Sequence, residues 1–244
     1  DLNVWLVDGF FSRFGLFDVD VNARLGKDGI HFDKFEIKQG KDPYLTIEGS
    51  IGQAPQGVDL LIRGQDIDMN QLLYATTTKD SVLMGKADLA LMFRGESWPV
   101  PASGQIKIEN GNALWFSFDE LYFDLGDPEN TKSYLGDEGL VIDRIAYIKD
   151  EEFVLEGNGV FPFNKTDSSF IALKGNGDFL SLLRDVTENV TDTRSYGTLD
   201  LNIGGPYQEM RLFDTRLTVI DGDLGMARVF ARVSDSHGDM VAND

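Results

Sequence analysis

Two imidazoles, His31 and His237, and a few closely spaced aspartates are the side chains of this 244-residue chain whose types could support acid–base chemistry. A histidine changes charge near neutral pH and acts as a general base when an orienting partner and a reacting group stand beside it. His31 stands in strand-like sequence and His237 close to the C-terminus, so both read as structural or exposed side chains. The pairs Asp18/Asp20 and Asp66/Asp68 have the alternate-residue spacing of carboxylate pairs or calcium ligands. On a strand that spacing places both carboxylates on one face. In context the first pair reads as the solvated side of an amphipathic strand and the second as a helix cap, and the full ligand spacing of a calcium loop is missing. Gly175-Asn176-Gly177 has the glycines of a phosphate loop without the Gly-Lys-Ser/Thr that would follow them. With no cysteine in the chain, thiol catalysis, disulfides and cysteine-based zinc sites are excluded. The expectation is a non-enzymatic protein that needs neither cofactor nor metal.

Charge narrows the partners. The 41 acidic residues outnumber the 22 basic ones, a formal charge of -19, which sets the general surface against nucleic-acid phosphates and anionic lipid headgroups. No nucleic-acid partner is expected. No apolar run approaches the roughly 18 residues that span a bilayer. The chain opens at Asp1 and closes at Asp244 in polar sequence, and it reads as a piece of a larger protein whose membrane anchor lies elsewhere.

The dominant pattern is structural. Phe17, Val19, Val21, Ala23 and Leu25 alternate with Asp18, Asp20, Asn22 and Arg24, the period of two that a strand with one buried face requires. Lys27-Asp28-Gly29 turns that strand into Ile30 to Ile37, and Tyr44 to Ile51, Val58 to Ile62 and Leu89 to Phe93 continue the alternation. The order is interrupted by two short helices, one capped by Asp66 and running through Met69, Leu72 and Leu73 towards Thr78, the other from Leu180 to Val190. A degenerate motif, apolar residues at alternate positions followed by Asp or Asn and then Gly, occurs at Val4 to Gly9, Ile106 to Gly111 and Leu217 to Gly222. Asp-Gly and Asn-Gly favour two-residue hairpin turns, so each motif reads as a strand running into a turn.

The motif also marks a period. Gly139 to Tyr147 matches Gly29 to Ile37 at a shift of 110, Glu156-Gly157 matches Glu48-Gly49, and Gly197-Thr198-Leu199-Asp200-Leu201 matches Gly85-Lys86-Ala87-Asp88-Leu89 at a shift of 112. The chain is therefore read as two repeats of about 110 residues. Residues 1–126 form the first and begin with the end of a preceding repeat, 127–137 form an exposed loop, and 138–244 form the second. A loop this short also allows strand pairing to run across it as one continuous domain.

The fold class is all-β and mainly antiparallel. One-sided strands must cover their apolar faces, and two short helices are too few to do so. Two arrangements satisfy this: an elongated, curved U-shaped sheet whose lining stays open to a ligand, or a closed β-sandwich, which would make the chain a structural or adhesive module with no ligand.

Leu60 to Leu73 (Leu-Leu-Ile-Arg-Gly-Gln-Asp-Ile-Asp-Met-Asn-Gln-Leu-Leu), Gly85 to Leu91 and Gly104 to Gly111 resemble the AsmA-like superfamily that includes the TamB proteins. The resemblance implies a periplasmic β-groove with an inner-membrane anchor in a diderm bacterium. It also implies a role in moving phospholipid between membranes or in outer-membrane biogenesis. It supplies no catalytic residues. The lining that would hold acyl chains, assigned by strand alternation, is Phe17, Val19, Val21, Leu60, Ile62, Leu89, Leu91, Phe93, Ile106, Ile108, Leu199, Leu201, Ile203, Leu217 and Val219. The expected partner is a phospholipid or another acyl-chain ligand, with membrane proteins engaged through other parts of the full protein.

Overall fold

A computed structural model describes residues 2–11, 15–39, 42–52, 57–69, 83–113, 116–149, 153–164, 166–182, 190–206, 210–226 and 238–242. The first half contributes β1 (Leu2–Phe11), β2 (Gly15–Gly26), β3 (Gly29–Gln39), β4 (Asp42–Gly52), β5 (Val58–Asp68), β6 (Leu83–Gly95), β7 (Val100–Ala113) and β8 (Phe116–Gly126). The second contributes β9 (Tyr134–Gly136), β10 (Gly139–Lys149), β11 (Phe153–Phe161), β12 (Ser169–Gly177), β13 (Val190–Gly205), β14 (Arg211–Leu212), β15 (Thr215–Met226) and β16 (Gly238–Ala242). All belong to one antiparallel sheet of 16 strands. Fourteen follow a single path from β1 to β16 almost entirely in chain order, while β9 and β14 pair beside it. The path ends on β1 at one side and β16 at the other, so the sheet is elongated and is not a barrel.

Curvature follows from burial. A flat single sheet leaves each face open to water, yet Ile108 is 0% exposed, Ile145 and Leu155 are each 1% exposed, and all three lie on the same face. Among the described residues there is no second sheet to cover them, and such burial is consistent with a sheet that curves over its own apolar side. Phe123 on β8 and Phe161 on β11 meet edge to face at 5.7 Å across the intervening β10. One apolar cluster extends in this way from Ile67 and Ala87 to Leu201 and Ile203.

The Asp/Asn-Gly motifs do not form turns. Asp8-Gly9, Asn110-Gly111 and Asp221-Gly222 all lie inside strands β1, β7 and β15, and each sits at or beside a break in register: between Leu6 and Gly9, between the pairs Met84–Asn112 and Lys86–Glu109, and between Tyr196–Asp221 and Gly197–Val219. They are β-bulges. Asn110 has the left-handed φ of 49° that Asn and Gly accept at low cost and that a bulge uses as readily as a hairpin does. The local residue preference was read correctly and its consequence was not, because a bulge bends a strand where a turn ends it.

The expected turn at Lys27-Asp28 does form, pairing Gly26 with Gly29. Its counterpart 110 residues on is Asp137-Glu138, pairing Gly136 with Gly139. Gly29 and Gly139 have φ of 134° and 115°, and an added Cβ would lie 2.1 Å from the Ile51 carbonyl oxygen in one and 2.2 Å from that of Phe161 in the other.

Both expected helices fall largely outside the described residues. β5 carries Asp66 and Asp68 within the strand, Asp66 at a left-handed φ of 54°; the last described residue before the break, Met69, is helical, and the rest of the helix expected there, residues 70–82, lies outside the described residues. Of the helix expected from Leu180 to Val190, the described part begins as a 3-10 turn, Phe179–Leu182, and Val190 belongs to β13, while 183–189 lie outside the described residues. Asp178 holds the turn, its carboxylate accepting hydrogen bonds from the Ser195 hydroxyl at 2.5 Å and the Thr193 hydroxyl at 3.5 Å, and its carbonyl accepting one from Ser181.

Between the halves the sheet is unbroken. β8 pairs with Arg144 to Ile148 of β10, and β9 pairs with Gly139 to Val141 of the same strand. On the other side both pair with β7. The segment 127–133 is an excursion from one composite strand, tied back by Thr131, whose single hydroxyl proton lies within reach of the carbonyls of both Ala102 and Leu125.

Candidate functional site

Register shows which side chains share a face, because residues paired across an antiparallel ladder point the same way. Leu6 pairs with Val19, Val19 with Ile37, Ile37 with Leu45, Leu45 with Gly64, Gly64 with Leu89 and Leu89 with Ile106. The row continues from Ile106 through Phe123, Ile145, Gly157 and Leu173 to Leu201. Twelve neighbouring strands thus place one residue each in a single line. A second row runs from Ala87 through Ile108, Leu121, Tyr147, Leu155 and Gly175 to Leu199 and Leu217. A third joins Val21, Phe35, Ile47, Ile62 and Leu91.

Phe17 aside, the residues expected to line a groove fall on this one face, carried by β2, β5, β6, β7, β13 and β15. Phe93 pairs with Leu60, Ile203 with Ile171, Val219 with Gly197 and Phe17 with Gly9. Their surroundings differ along the sheet. Leu91, Phe93, Ile108, Leu199, Leu201 and Ile203 are buried at 0–9% exposure. Leu60, Ile62, Leu89, Ile106 and Leu217 are half-buried against that cluster. Val19, Val21 and Val219 are half-buried, and the side chain of Phe17 lies outside the described residues. The face therefore passes from a largely buried stretch over β6–β13, with Leu89 and Ile106 among its half-buried members, to β2–β4, where Phe35, Ile37 and Ile47 are also half-buried and the small Ala23 is buried.

Several residues of the face were not anticipated: Leu121, Phe123, Ile145, Tyr147, Leu155 and Leu173. Their alternation is present, but the register break between Ile142 and Ile145 shifts its phase. Aromatic packing is concentrated here, with Phe153 touching both Tyr147 at 5.6 Å and Phe179 at 4.6 Å. The 3-10 turn thereby covers one end of the apolar face, with Phe179 and Leu180 buried.

The opposite face is a lattice of ion pairs. Arg144 bridges Asp124 at 3.2 Å and Glu156 at 2.7 Å, Lys174 meets Asp200 at 2.7 Å, and Lys34 meets Asp20 at 2.6 Å. Lys107 lies between Glu109 and Glu120 at 2.5 and 3.0 Å. The Tyr122 hydroxyl, and then Lys107, hold the Glu120 carboxyl below the usual carboxylate range. Such exposed pairs contribute little individually. Their role is to let a strongly acidic sheet present one solvated side while the other stays apolar.

The residues first considered for chemistry are dispersed on the polar side. His31 on β3 has Nε2 3.1 Å from Asp33, and His237 lies outside the described residues. Asp66 pairs with Lys86 at 3.3 Å, and its amide donates to Asp88. The Asp68 amide donates to the Tyr44 hydroxyl. Among the described residues no three His, Asp or Glu side chains gather as metal ligands, and Gly175-Asn176-Gly177 is the end of strand β12. No helix among them is long and apolar enough to cross a membrane. Comparison with known proteins adds no relative: no family model matches the chain, and neither a curated protein nor a solved structure matches it.

Proposed function

We propose that the chain is a segment of an AsmA-like envelope protein whose apolar sheet face shields lipid acyl chains. In this reading it works in the periplasm of a diderm bacterium, with an inner-membrane anchor elsewhere in the full protein, and serves phospholipid movement or outer-membrane biogenesis without catalysis. One observation carries the proposal. The apolar rows that form a packed core over β6–β13 continue in register onto β2–β4, where Val19, Val21, Phe35, Ile37 and Ile47 remain accessible. An extended apolar surface in contact with water is unfavourable at about 25 cal/mol per Å², and contiguous patches of this kind mark binding surfaces. Acyl chains match its chemistry because they need only apolar contact along their length.

The proposal is tested by solvent extraction of the purified protein followed by lipid analysis, together with displacement of a bound fluorescent fatty-acyl probe. Co-purifying phospholipid and saturable displacement are expected. A protein that carries no lipid and does not bind the probe refutes the proposal. The second reading, a structural β-repeat module with no ligand, is favoured by the burial of Ile108, Ile145 and Leu155; it predicts no binding in either assay.

A further inference from the structure

At the end of the sheet where β2 turns into β3, the apolar face carries a row of three large side chains that stay exposed. Leu25 pairs with Ile30 and Ile30 with Ile51, and their exposures are 74%, 37% and 43%. Directly beside them, on the polar face, the next row pairs Arg24 with His31 and His31 with Ser50. An open pocket of about 380 Å³ lies across the two rows, lined by Arg24, Asp28, Ile30, His31, Ser50 and Ile51 with the backbones of Gly26, Gly29 and Gly52. That volume falls in the range of about 300–1,000 Å³ typical of small-ligand sites.

The pocket's lining carries charges of both signs. A register break sets Asp33 out of the ladder between β2 and β3, as bulges re-aim a side chain. Its carboxylate lies 2.6 Å from the Arg24 guanidinium and 3.1 Å from His31 Nε2. This fixes both donors while leaving the guanidinium several N–H groups. Asp28, in the turn, adds a carboxylate to the same lining. A ligand matching this arrangement has an anionic group, a cationic group a few bonds away, and an apolar tail for Ile30 and Ile51. The chain's charge of -19 further disfavours a tail-bearing ligand of net negative charge.

We propose that this pocket seats the headgroup of a zwitterionic phospholipid, with the phosphate on Arg24, His31 and Ser50 and the ammonium on Asp28. The acyl chains then enter the apolar face over Leu25, Ile30 and Ile51. The inference rests on the reading of that face as an acyl-chain surface and adds to it a place of entry and a headgroup class.

Calorimetric titration of the 244-residue protein with three monomeric amphiphiles tests it: dihexanoyl phosphatidylethanolamine, dihexanoyl phosphatidylglycerol, and uncharged octyl maltoside. The phosphatidylethanolamine is expected to bind about fivefold tighter than the phosphatidylglycerol, a difference of the size a partly solvated charge pair supplies. Arg24→Gln and Asp28→Asn, both at exposed positions and checked by thermal melting, are each expected to remove most of that preference while leaving octyl maltoside affinity unchanged. Equal binding of the two phospholipids, or a preference untouched by both variants, with octyl maltoside still bound, overturns the headgroup site and leaves the acyl-chain surface standing. Failure of all three amphiphiles to bind overturns the acyl-chain surface and the headgroup site with it.

Discussion

Replacing Ile108 and Ile47 separately with alanine measures how far the apolar face is closed. The two residues share the face and the chemistry and differ in cover. Ile108 is 0% exposed within the cluster, so truncation removes three buried carbons and leaves a cavity, a change that costs about 2–5 kcal/mol. Ile47 is half-buried between Phe35 and Ile62. Water reaches the site, no closed cavity forms, and about half of the 1.5–3 kcal/mol for full burial is at stake, or roughly 1 kcal/mol. Urea unfolding followed by circular dichroism should place the Ile108→Ala midpoint well below that of Ile47→Ala, with similar denaturant slopes. Binding of an acyl probe should show the opposite order, Ile47→Ala weakening it and Ile108→Ala leaving it close to wild type. If Ile47→Ala costs as much stability as Ile108→Ala, the N-terminal part of the face is covered too, and the argument for an accessible surface fails.

Three further outcomes follow from particular contacts. Asn110→Ala leaves a Cβ at the left-handed φ of 49° without the local side-chain hydrogen bonding by which asparagine accepts it, and should cost about 1 kcal/mol, whereas Asn110→Gly should be nearly neutral; equal losses from both in denaturant titrations would refute the bulge assignment. Asp178→Ala removes the carboxylate that ties the 3-10 turn to Ser195 and Thr193, and about 1–3 kcal/mol should be lost, together with increased protease cleavage near Phe179. Glu120 is held below the usual carboxylate range by Tyr122 and Lys107, so its contribution is complete above the ordinary glutamate pKa and disappears as pH falls through the lower, folded-state value. Between about pH 6 and pH 3 the unfolding free energy of Glu120→Gln should therefore fall less steeply than that of wild type; identical slopes would show that the carboxyl is not shifted.

Much of the architecture is legible from residue types alone. The alternation from Phe17 to Leu25 specifies a one-sided strand because side chains on a strand have a period of two, and Lys27-Asp28-Gly29 specifies a turn because the next strand leaves no room for a Cβ at Gly29. The Asp/Asn-Gly motifs mark the other limit. Asn110-Gly111 carries a local preference for positive φ that a hairpin and a bulge satisfy equally, and only β8 pairing on one side and β6 on the other make it a bulge. The pocket at Arg24 is legible only in part: the two-residue turn at Lys27-Asp28 sets Arg24 opposite His31 with Asp28 at the tip, but Ser50 and Ile51 join them through β3–β4 register, which linear spacing does not record.

The sequence by itself therefore determined which residues share a face within an unbroken stretch of strand, since alternation acts over a few neighbouring positions, while across a bulge such as that between Ile142 and Ile145 the pairing decides. It also determined that a single charged side would be solvated and the other hidden. Tertiary structure alone decided how much of the hidden side is covered. That depends on where bulges bend the sheet and on which distant strands then approach, so Ile108 becomes core while Val19, with the same alternation in its own strand, stays within reach of solvent.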